Sequence, residues 1–530
     1  AQAVAADRLI AAVQAKQFQP FLLDGVTGSG KTEAYFEAVA EAIRSGGQTL
    51  VLLPEIALTA QFLARFARRF GAAPALWHSG MTPAMRRKVW RSVAIGETKV
   101  VAGARSALYL PFPDLRLIVI DEEHDGSFKQ DDGVTYNARD MSVVRAKLSD
   151  CPIVLSSATP SLETWVNATQ GRYERLALLE RHGGRPMPTA SLVDLKLDRP
   201  EAGTYLSASV VTAISETLAA GEQAMLFLNR RGYAPLTLCQ SCGHKFRCAR
   251  CDAWLVEHRF KRRLMCHHCG FETGTPNACP SCHKTGTLTA CGPGVERVAE
   301  EAKTRWPDAR IAIASSDYLQ GTHSLEDTIA AVENHEIDLV IGTQLVAKGH
   351  NFPMLTLVAV VDGDMGLDGA DPRARERTFQ LLHQVAGRAG RADRPGRVII
   401  QTHGPQEPVM QALAAGARDA FYTAESTMRE AAGLPPFGRL AALIFSGPDE
   451  GQVRRTADDL AAAAPTVSGV ALYGPALAPL ALVRGQTRMR LLVQAPRNFN
   501  MQAFLSDWLK AFRAPSAVRI ALDIDPQSFL

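Results

Sequence analysis

Apolar and polar positions along most of the chain follow the alternation that is typical of parallel α/β proteins. A short apolar run at residues 21–24 precedes a glycine-rich turn, and helical apolar spacing then extends over residues 33–44. Further apolar runs of strand length occur at LRLIVID, AMLFLN, DLVIGT, TLVAVVD and RVIIQT, with helical stretches between them. The pattern predicts an α/β fold with two parallel-sheet lobes.

The pattern changes after Gly404. Helical spacing continues through PVMQALAAGARDAFYTAE, a turn follows at GLPPFG, and the β-rich runs LAALIFSG and MRLLVQAP flank an amphipathic stretch. We expect a small α+β domain with split βαβ character there. The predicted divisions are lobe one at 1–182, a linker at 183–204, lobe two at 205–238 and 292–404, a cysteine-rich insertion at 239–291, and a C-terminal domain at 405–530.

Length and composition narrow the class of protein. A chain of 530 residues exceeds what one hydrophobic core supports, and its 46% apolar and 21% charged residues are ordinary for a globular protein of the cytosol. No uncharged apolar run reaches the roughly 18 residues that cross a bilayer. A net charge of +4 does not by itself indicate a nucleic-acid partner. The N-terminal AQAVAADRLIAAV has no initiator Met and no basic leader, so we expect a cut edge inside a longer protein.

Residues 25–32, GVTGSGKT, match the pattern G-x-x-x-x-G-K-[ST] between a predicted strand and a predicted helix. Glycines let backbone N–H groups converge on a phosphate, and the helix N-terminus adds its dipole. Lys31 would neutralise β/γ-phosphate charge, and Thr32 would ligate Mg²⁺. We call residues 25–32 the phosphate loop, and its expected ligands for ATP and Mg²⁺ are Gly25, Gly28, Gly30, Lys31 and Thr32.

The strand LRLIVID ends in Asp121-Glu122-Glu123-His124, about ninety residues after the phosphate loop. We call residues 121–124 the acidic turn. Asp121 would hold the Mg²⁺ shell and Glu122 would polarise the attacking water, because phosphoryl transfer needs positioning and charge neutralisation. Together, the phosphate loop and the acidic turn predict a nucleotide hydrolase.

Three further motifs follow in order: SSATP at residues 156–160, IGTQLVAKGHNFP at 341–353 and QVAGRAGR at 384–391. With the acidic turn, they resemble the motif set of superfamily 2 helicases, which implies two RecA-like lobes with nucleotide between them. Gln384, Arg388 and Arg391 are spaced by four and three residues, which predicts one shared helix face. An arginine there would reach the γ-phosphate. The alternative for the two arginines is an exposed, salt-bridged helix face.

Eight of the ten cysteines form four C-x-x-C pairs, which favours tetrahedral Zn²⁺ sites over disulfides in a reducing cytosol. Joining the second and third pairs gives a spacing close to that of known zinc sites, with the outer pairs closing around it. We therefore expect two nested Zn²⁺ sites, with an interleaved cross-brace as the alternative. The nested ligand sets are Cys239, Cys242, Cys279 and Cys282 for one site, and Cys248, Cys251, Cys266 and Cys269 for the other.

The stretch DGSFKQDDGVTYNARD follows the acidic turn. Phe128 and Tyr136 would stack on bases, while Lys129 and Arg139 would hold phosphates, which would couple DNA occupancy to hydrolysis. The alternative is that the two aromatic residues fix this loop to the protein core.

The phosphate loop, LPEIALTAQ, DEEHDGSFKQ, FLNRRGYAP, VAKGHNFP and the placement of the zinc pairs within lobe two together resemble the PriA family of bacterial replication-restart helicases, over nearly the whole chain. The resemblance implies an ATP-dependent 3′→5′ helicase that acts at abandoned forks and starts primosome assembly. It also implies helicase-loading and single-stranded-DNA-binding proteins as partners, a monomer, and the absence here of the family's N-terminal DNA-binding region. Residues implied by the family are Gln2 for adenine, and Arg105, Ser106, Thr343 and Gln344 for DNA.

Two other functions fit the sequence. A fork-binding scaffold would load partner proteins with ATP hydrolysis secondary, and a duplex translocase would move along DNA without separating the strands. In every case we expect ATP, Mg²⁺ and two Zn²⁺ as cofactors, and the cysteine-rich segment as an inert appendage of lobe two.

Overall fold

The computed structural model describes the 530-residue chain apart from residues 55–59, 132, 182, 184–186, 202, 230–235, 240–243, 245, 247, 250–254, 259–262, 267–270, 286–287, 292–293, 315–324, 344–351, 368–370, 391–393 and 530. In the part described, none of the helices has the length and apolar character needed to traverse a bilayer.

Lobe one contains a parallel seven-stranded sheet in the order β3-β4-β2-β5-β8-β1-β9. Successive residues of its strands point to opposite faces, so Leu50 and Leu52 enter one core cluster and Val51 enters the other. Its elements are α1 (Gln2–Ala15), β1 (Pro20–Gly25), α2 (Lys31–Arg44), β2 (Gln48–Leu52), α3 (Ala60–Phe70), β3 (Ala75–Trp77), α4 (Pro83–Ala94), β4 (Val100–Gly103), β5 (Leu115–Asp121), β6 (Lys129–Gln130), β7 (Tyr136–Asn137), α5 (Ala138–Leu148), β8 (Ile153–Ser157), α6 (Leu162–Thr169) and β9 (Glu174–Leu178), with 3-10 helices at Arg105–Tyr109 and Gly126–Phe128.

Lobe two contains a parallel six-stranded sheet in the order β10-β20-β19-β11-β18-β17. The cysteine-rich segment forms one two-stranded and one three-stranded antiparallel sheet. The elements of this part are β10 (Thr189–Asp194), α7 (Ala208–Ala219), β11 (Gln223–Phe227), β12 (Leu236–Cys239), β13 (Val256–His258), β14 (Arg263–Met265), β15 (Glu272–Gly274), β16 (Leu288–Cys291), α8 (Val295–Arg305), β17 (Ile311–Ala314), α9 (Leu325–Glu333), β18 (Leu339–Gly342), β19 (Leu355–Val360), α10 (Ala374–Ala386), β20 (Arg397–Thr402) and α11 (Pro408–Ala414).

One strand of lobe two lies where the sequence predicts a linker. β10 pairs in parallel with β20 over its whole length, from Thr189 opposite Arg397 to Asp194 opposite Thr402. Its side chains are exposed or half-buried, so it lacks the apolar run that identifies a central strand.

The C-terminal domain is an antiparallel four-stranded sheet in the order β22-β23-β21-β24, with two helices in the connections between its strands and a third that precedes them in the chain. Chain order β-α-β-β-α-β with this strand order is the split βαβ arrangement, as the sequence pattern predicts. Val453, Leu460, Leu505 and Trp508 of the two helices are buried against the strands. The elements are α12 (Arg418–Ala431), β21 (Gly438–Gly447), α13 (Glu450–Ala462), β22 (Ala471–Val483), β23 (Gln486–Pro496), α14 (Met501–Ala511) and β24 (Arg519–Ile524).

The chain divides into two compact units, and both parallel sheets lie in the first. The cysteine-rich segment belongs to the second unit, together with the C-terminal domain. Val483, at the end of β22, packs against a small core that contains Phe246, Cys248 and Cys266. The cysteine-rich segment thus makes an apolar contact with the C-terminal hairpin, and its role as an appendage of lobe two stays a prediction. The units comprise Ala1–Phe227, Lys303–Gly363 and Glu376–Tyr422, and Leu228–Ala302, Asp364–Arg375 and Thr423–Leu530.

Candidate functional site

Three neighbouring strands of lobe one end at the same edge of the sheet. β8 lies between β1 and β5, with Asp24 opposite Ser157 and Asp121 opposite Ser156. The carboxyl ends of parallel strands form the usual ligand-binding edge of an open α/β sheet. The phosphate loop, the acidic turn and residues 156–160, which we call the SSATP turn, therefore meet at one place.

The phosphate loop has the backbone that its glycines allow. Gly28 and Gly30 both have φ of +85°, in the left-handed region that favours glycine. Lys31 begins α2, and its Nζ donates to the carbonyl oxygens of Gly25 at 2.6 Å and Val26 at 3.4 Å. The ammonium therefore lies inside the loop, where the charge of a phosphate would be neutralised.

Gln2 contacts this loop, and Thr32 ends it. Gln2 Nε2 donates to the carbonyl oxygen of Ser29 at 2.6 Å, and a Cβ at Gly30 would clash with that Nε2. Thr32 follows Lys31 in the first turn of α2. The geometry brings all the predicted ATP residues of lobe one together, and it shows that Gln2 touches the loop itself.

Asp121 ends β5 and accepts hydrogen bonds from Tyr35 Oη at 3.0 Å and Ser156 Oγ at 2.9 Å. Burial, and then the neighbouring Glu122, raise the pKa of Asp121, while Lys31 opposes the shift. A carboxylate held by two hydroxyls beside a lysine is a hard oxygen ligand of the kind that Mg²⁺ prefers. The donor set therefore fits the predicted magnesium site.

Glu122 has φ of +50°, which is costly for a residue with a Cβ and is found at functional sites. Glu123, in contrast, points into the core, where it accepts from the Ser161 backbone N–H at 2.7 Å and from Thr164 Oγ1 at 3.0 Å. Burial raises the pKa of Glu123, and the nearby Arg139 opposes this shift. Glu122 is half-buried, so it is the glutamate of the acidic turn that faces solvent.

Gln384 of α10 connects lobe two to the acidic turn. Its Nε2 donates to His124 Nε2 at 2.7 Å and lies 3.3 Å from Glu122 Oε2. Because the imidazole accepts at Nε2, its Nδ1 carries the proton and donates to Ser157 Oγ at 2.8 Å. A continuous set of polar contacts thus joins α10, the acidic turn and the SSATP turn.

The shared helix face predicted for Gln384, Arg388 and Arg391 is wrong, because α10 ends at Ala386. The helix stops where Gly387 packs on the phosphate loop: a Cβ there would lie 2.8 Å from Thr27 Oγ1. Arg388 follows in a turn and is buried. Burial lowers its pKa to about 10, an effect that Glu122 opposes, so the guanidinium stays charged near neutral pH. Arg391 lies outside the described residues.

Arg181 was not predicted from the sequence. It is buried, and its guanidinium donates to the carbonyl oxygens of Gly387 at 2.9 Å and Gly390 at 2.8 Å. These bonds satisfy the backbone after α10 and hold the turn that carries Arg388. Arg181 follows β9 in a segment of mixed polarity, so no motif marks it.

The residues predicted to contact DNA separate into two groups. Ser106 is exposed, Arg105 and Tyr136 are half-buried, and Thr343 follows β18 as a half-buried residue. Arg105 Nη1 donates to the carbonyl oxygens of Ser127 at 3.1 Å and Lys129 at 2.7 Å, which fixes the loop after the acidic turn. Gln344 lies outside the described residues.

The structure contradicts direct DNA contacts for Phe128, Lys129 and Arg139. Phe128 is 1% exposed and packs in the core of lobe one, as the alternative interpretation expects. Lys129 and Arg139 are also buried, and Arg139 Nε donates to Asp140 Oδ1 at 2.8 Å. Burial opposes the charged form of Arg139, but Asp140, Glu163 and Glu123 raise its pKa above the usual value. The charge of Arg139 is therefore compensated by these acids within the protein, and neither cation is presented to a phosphate.

The sequence pattern did not identify one exposed aromatic residue that lies next to Tyr136. Tyr109, at the end of a 3-10 helix, is 56% exposed, and its ring makes an edge-on contact with Tyr136 at a centroid distance of 5.4 Å. Tyr109 follows the family-implied residues Arg105 and Ser106 by a few positions, so an aromatic residue next to them was the available signal.

The thiols of Cys239, Cys279 and Cys282 form one cluster in the second unit. Their sulfur atoms all lie within 4.8 Å of one another, and Cys239 Sγ is 3.6 Å from Cys282 Sγ. Cys239 and Cys279 are buried and Cys282 is half-buried, and three thiolates at this separation suit a tetrahedral Zn²⁺. Nested sites require cysteines of the first and fourth C-x-x-C pairs to lie together, as they do in this cluster. A cross-brace would instead bring the first pair together with the third. Cys248 and Cys266 share another small core, and Cys242, Cys251 and Cys269 lie outside the described residues.

Comparisons with known proteins match three parts of the chain to family profiles. The DEAD/DEAH box helicase profile matches residues 5–167, the PriA DNA helicase Cys-rich region profile matches 248–273, and the Primosomal protein N C-terminal domain profile matches 430–527. Among solved structures, RecG bound to a three-way DNA junction has a TM-score of 0.46 at 16% identity, over 80% of this chain and 46% of that chain.

Curated relatives extend the match to almost the whole chain. Replication restart protein PriA from Rickettsia felis is 44% identical over 511 residues, which are 96% of this chain and 79% of the relative. The Bacillus subtilis protein of the same name is 37% identical over 512 residues, which are 96% of this chain and 64% of the relative. At this identity and coverage, the chain belongs to the family of replication restart protein PriA, with a helicase domain, a cysteine-rich zinc region and the family's C-terminal domain.

Proposed function

We propose that this chain is an ATP-dependent DNA helicase that moves 3′→5′ along single-stranded DNA, acts at stalled or abandoned forks, and starts primosome assembly. The observation that carries the proposal is the contact of Gln384 with His124 and Glu122, because it joins the second parallel sheet to the acidic turn of the first. Binding and hydrolysis of a nucleotide at this edge would change how the two lobes are arranged. Such a change is the basis of stepping along a strand.

The chemistry follows from the described side chains. Lys31 leaves the carbonyl oxygens of the loop and binds the β- and γ-phosphates, while Gln2 orients the loop and the adenine. Thr32 and Asp121 would hold Mg²⁺, which would neutralise charge on the phosphoryl oxygens. Glu122 accepts a proton from the attacking water. Gln384 and His124 fix the orientation of the Glu122 carboxylate. Arg388, with Arg391, stabilises the charge on the γ-phosphate in the transition state.

DNA is proposed to lie along the exposed or half-buried residues of the two lobes. Ser106, Tyr136 and Tyr109 are the accessible side chains of lobe one at this place, and Thr343 and Gln344 are the candidates in lobe two. Arg105 is proposed to act on DNA through the loop that it holds, since two of its hydrogen bonds are made to backbone carbonyl oxygens there. Base stacking on the tyrosines would be tolerant of sequence, as a translocating protein requires.

Two Zn²⁺ in nested sites are proposed to fold the cysteine-rich segment, without a catalytic role, because four thiolates leave no open coordination position. We also propose that the chain works as a monomer and that helicase-loading proteins and single-stranded-DNA-binding protein are its partners. These partner assignments are supported by membership of the family.

Strand displacement tests the polarity and the activity together. We expect ATP-dependent release of the labelled strand from a duplex with a 3′ single-stranded tail and little release from one with a 5′ tail. Lys31→Ala is expected to abolish release while DNA binding persists. Equal release from both tails contradicts the polarity. ATP hydrolysis without release from either substrate favours a duplex translocase, and partner loading by Lys31→Ala at the parent rate favours a scaffold.

A further inference from the structure

Four charged side chains beside the phosphate loop form a network that no ATP-binding motif includes, and the pair at its centre, Asp24 and Arg418, is buried. Asp24, the residue before Gly25, has a fully buried side chain. It accepts two hydrogen bonds from Arg418, from Nη1 at 2.6 Å and from Nη2 at 2.8 Å, and a third from Arg175 Nε at 2.8 Å. Asp419 accepts from both arginines, so two acids and two bases balance.

Arg418 also reaches the SSATP turn. Its Nη1 donates to the carbonyl oxygen of Ala158 at 2.9 Å, so one guanidinium holds the ends of β1 and β8 together. Four residues later, Tyr422 Oη donates to the carbonyl oxygen of Pro160 at 2.6 Å. The Tyr422 ring stacks on Trp165 at a centroid distance of 5.0 Å. The first turns of α12 therefore bind the SSATP turn at two consecutive places.

The network is rigid for a physical reason. Bidentate pairing of arginine with a carboxylate fixes both distance and orientation, and a buried pair is screened very little by salt. Burial opposes the charge on Arg418, but Asp24 and Asp419 raise its pKa, so it remains a cation. Removing Arg418 would leave the fully buried Asp24 paired with Arg175 alone, and removing Asp24 would leave Arg418 paired with Asp419 alone, which is unfavourable for a buried charge.

The position of the network matters because each of its two acceptors is adjacent in sequence to a functional group. Asp24 is followed by Gly25, whose carbonyl oxygen accepts from Lys31, and Ala158 follows Ser157, which accepts from His124. A shift of Arg418 would move both strand ends relative to Asp121 and Glu122.

We propose that Arg418 is a positioning residue for ATP hydrolysis, which clasps the ends of β1 and β8 through Asp24 and the carbonyl oxygen of Ala158. The proposal rests on the ATPase activity proposed above. Arg418 touches neither the phosphate loop ligands nor the acidic turn in the bonds described, and it acts by holding the strands that carry them.

The kinetics of Arg418 and Asp24 variants test the proposal in the full chain with single-stranded DNA. Misplacement of a reacting group by about 1 Å costs on the order of 100-fold in rate. We expect Arg418→Gln and Asp24→Asn each to lower kcat by about 10- to 100-fold. The KM for ATP should change by less than about threefold, because the phosphate loop ligands remain. Arg418→Lys, which keeps the charge but loses the bidentate pair, should be intermediate.

A double variant separates positioning from general loss of structure. Because Asp24→Asn and Arg418→Gln remove the same clasp, the double variant should be no slower than the poorer single variant. Independent effects would multiply. Arg454→Gln is the matched control, since Arg454 makes an exposed ion pair with Glu450 at 3.2 Å, and its kcat should equal that of the parent.

Thermal unfolding of each variant gives its folded fraction at the assay temperature. The proposal is overturned if folded Arg418→Gln keeps kcat within about twofold of the parent. It is also overturned if the losses multiply, or if the unfolded fraction accounts for them entirely. A parent chain without any turnover would refute the proposed ATPase, whereas an active parent with an unaffected Arg418→Gln refutes only the clasp.

Discussion

Substitution of Gln384 by Met removes the hydrogen bond that connects α10 to the acidic turn while preserving side-chain length. Gln384 is buried, and the His124 side chain is only 7% exposed. In the variant, His124 Nε2 would lose the amide donor that now lies at 2.7 Å, and it would have little access to water. An unsatisfied buried polar group costs about 1–3 kcal/mol. If the bond holds Glu122 and His124 in the reactive geometry, its loss raises the activation free energy of ATP hydrolysis by this amount. The value of kcat then falls by about 5- to 150-fold.

The assay is steady-state ATP hydrolysis at saturating single-stranded DNA, with kcat and the KM for ATP measured separately. Gln411→Met is the matched control, because the exposed Gln411 donates a single hydrogen bond to the carbonyl oxygen of Pro405 at 2.6 Å, away from the acidic turn. We expect Gln411→Met to match the parent. A Gln384→Met variant that is folded and retains kcat within about twofold would refute a role for this contact in hydrolysis.

Three further predictions use other parts of the structure. Gly387→Ala should lower kcat, since the added Cβ would lie 2.8 Å from Thr27 Oγ1. Turnover equal to that of the parent would show that the turn after α10 shifts to accommodate the methyl group without affecting hydrolysis. Cys279→Ser should remove one Zn²⁺ per chain by elemental analysis, because Cys279 contributes to the cluster with Cys239 and Cys282; an unchanged metal content would exclude that site. Because burial and Glu122 raise the pKa of Asp121, protons should compete with Mg²⁺ at higher pH than for a free aspartate. The Mg²⁺ concentration for half-maximal ATPase should therefore rise as the pH is lowered from neutral into the acid range, and a requirement that stays constant over the range in which the protein remains folded would contradict the assignment.

The sequence was most informative where function depends on consecutive residues. The phosphate loop and the acidic turn combine a buried strand with a fixed turn, so their local pattern determines their structure and their place at the sheet edge. The alternation of apolar residues likewise predicted the split βαβ domain. In these regions local preference and tertiary packing favour the same arrangement.

Contacts between distant residues were beyond the sequence pattern. Asp24 and Arg418 are 394 positions apart, and Asp24 looks like the polar end of an ordinary strand. Phe128 and Arg139 lie in a stretch whose composition suits DNA, but composition does not tell which side of the loop faces the core. Arg139 is within ion-pair distance of the buried Glu123, at 3.6 Å, and this tertiary contact decides the orientation. The contact of Val483 with the cysteine-rich segment is equally remote in sequence.

The most direct test of the account is the ATPase rate of the purified chain with Mg²⁺, measured with and without a long single-stranded oligonucleotide. The two-lobe site predicts hydrolysis that rises when DNA is added, and that is lost in Lys31→Ala at unchanged thermal stability. Absence of turnover in the folded parent chain with Mg²⁺ and DNA, or turnover that survives in Lys31→Ala, would contradict it.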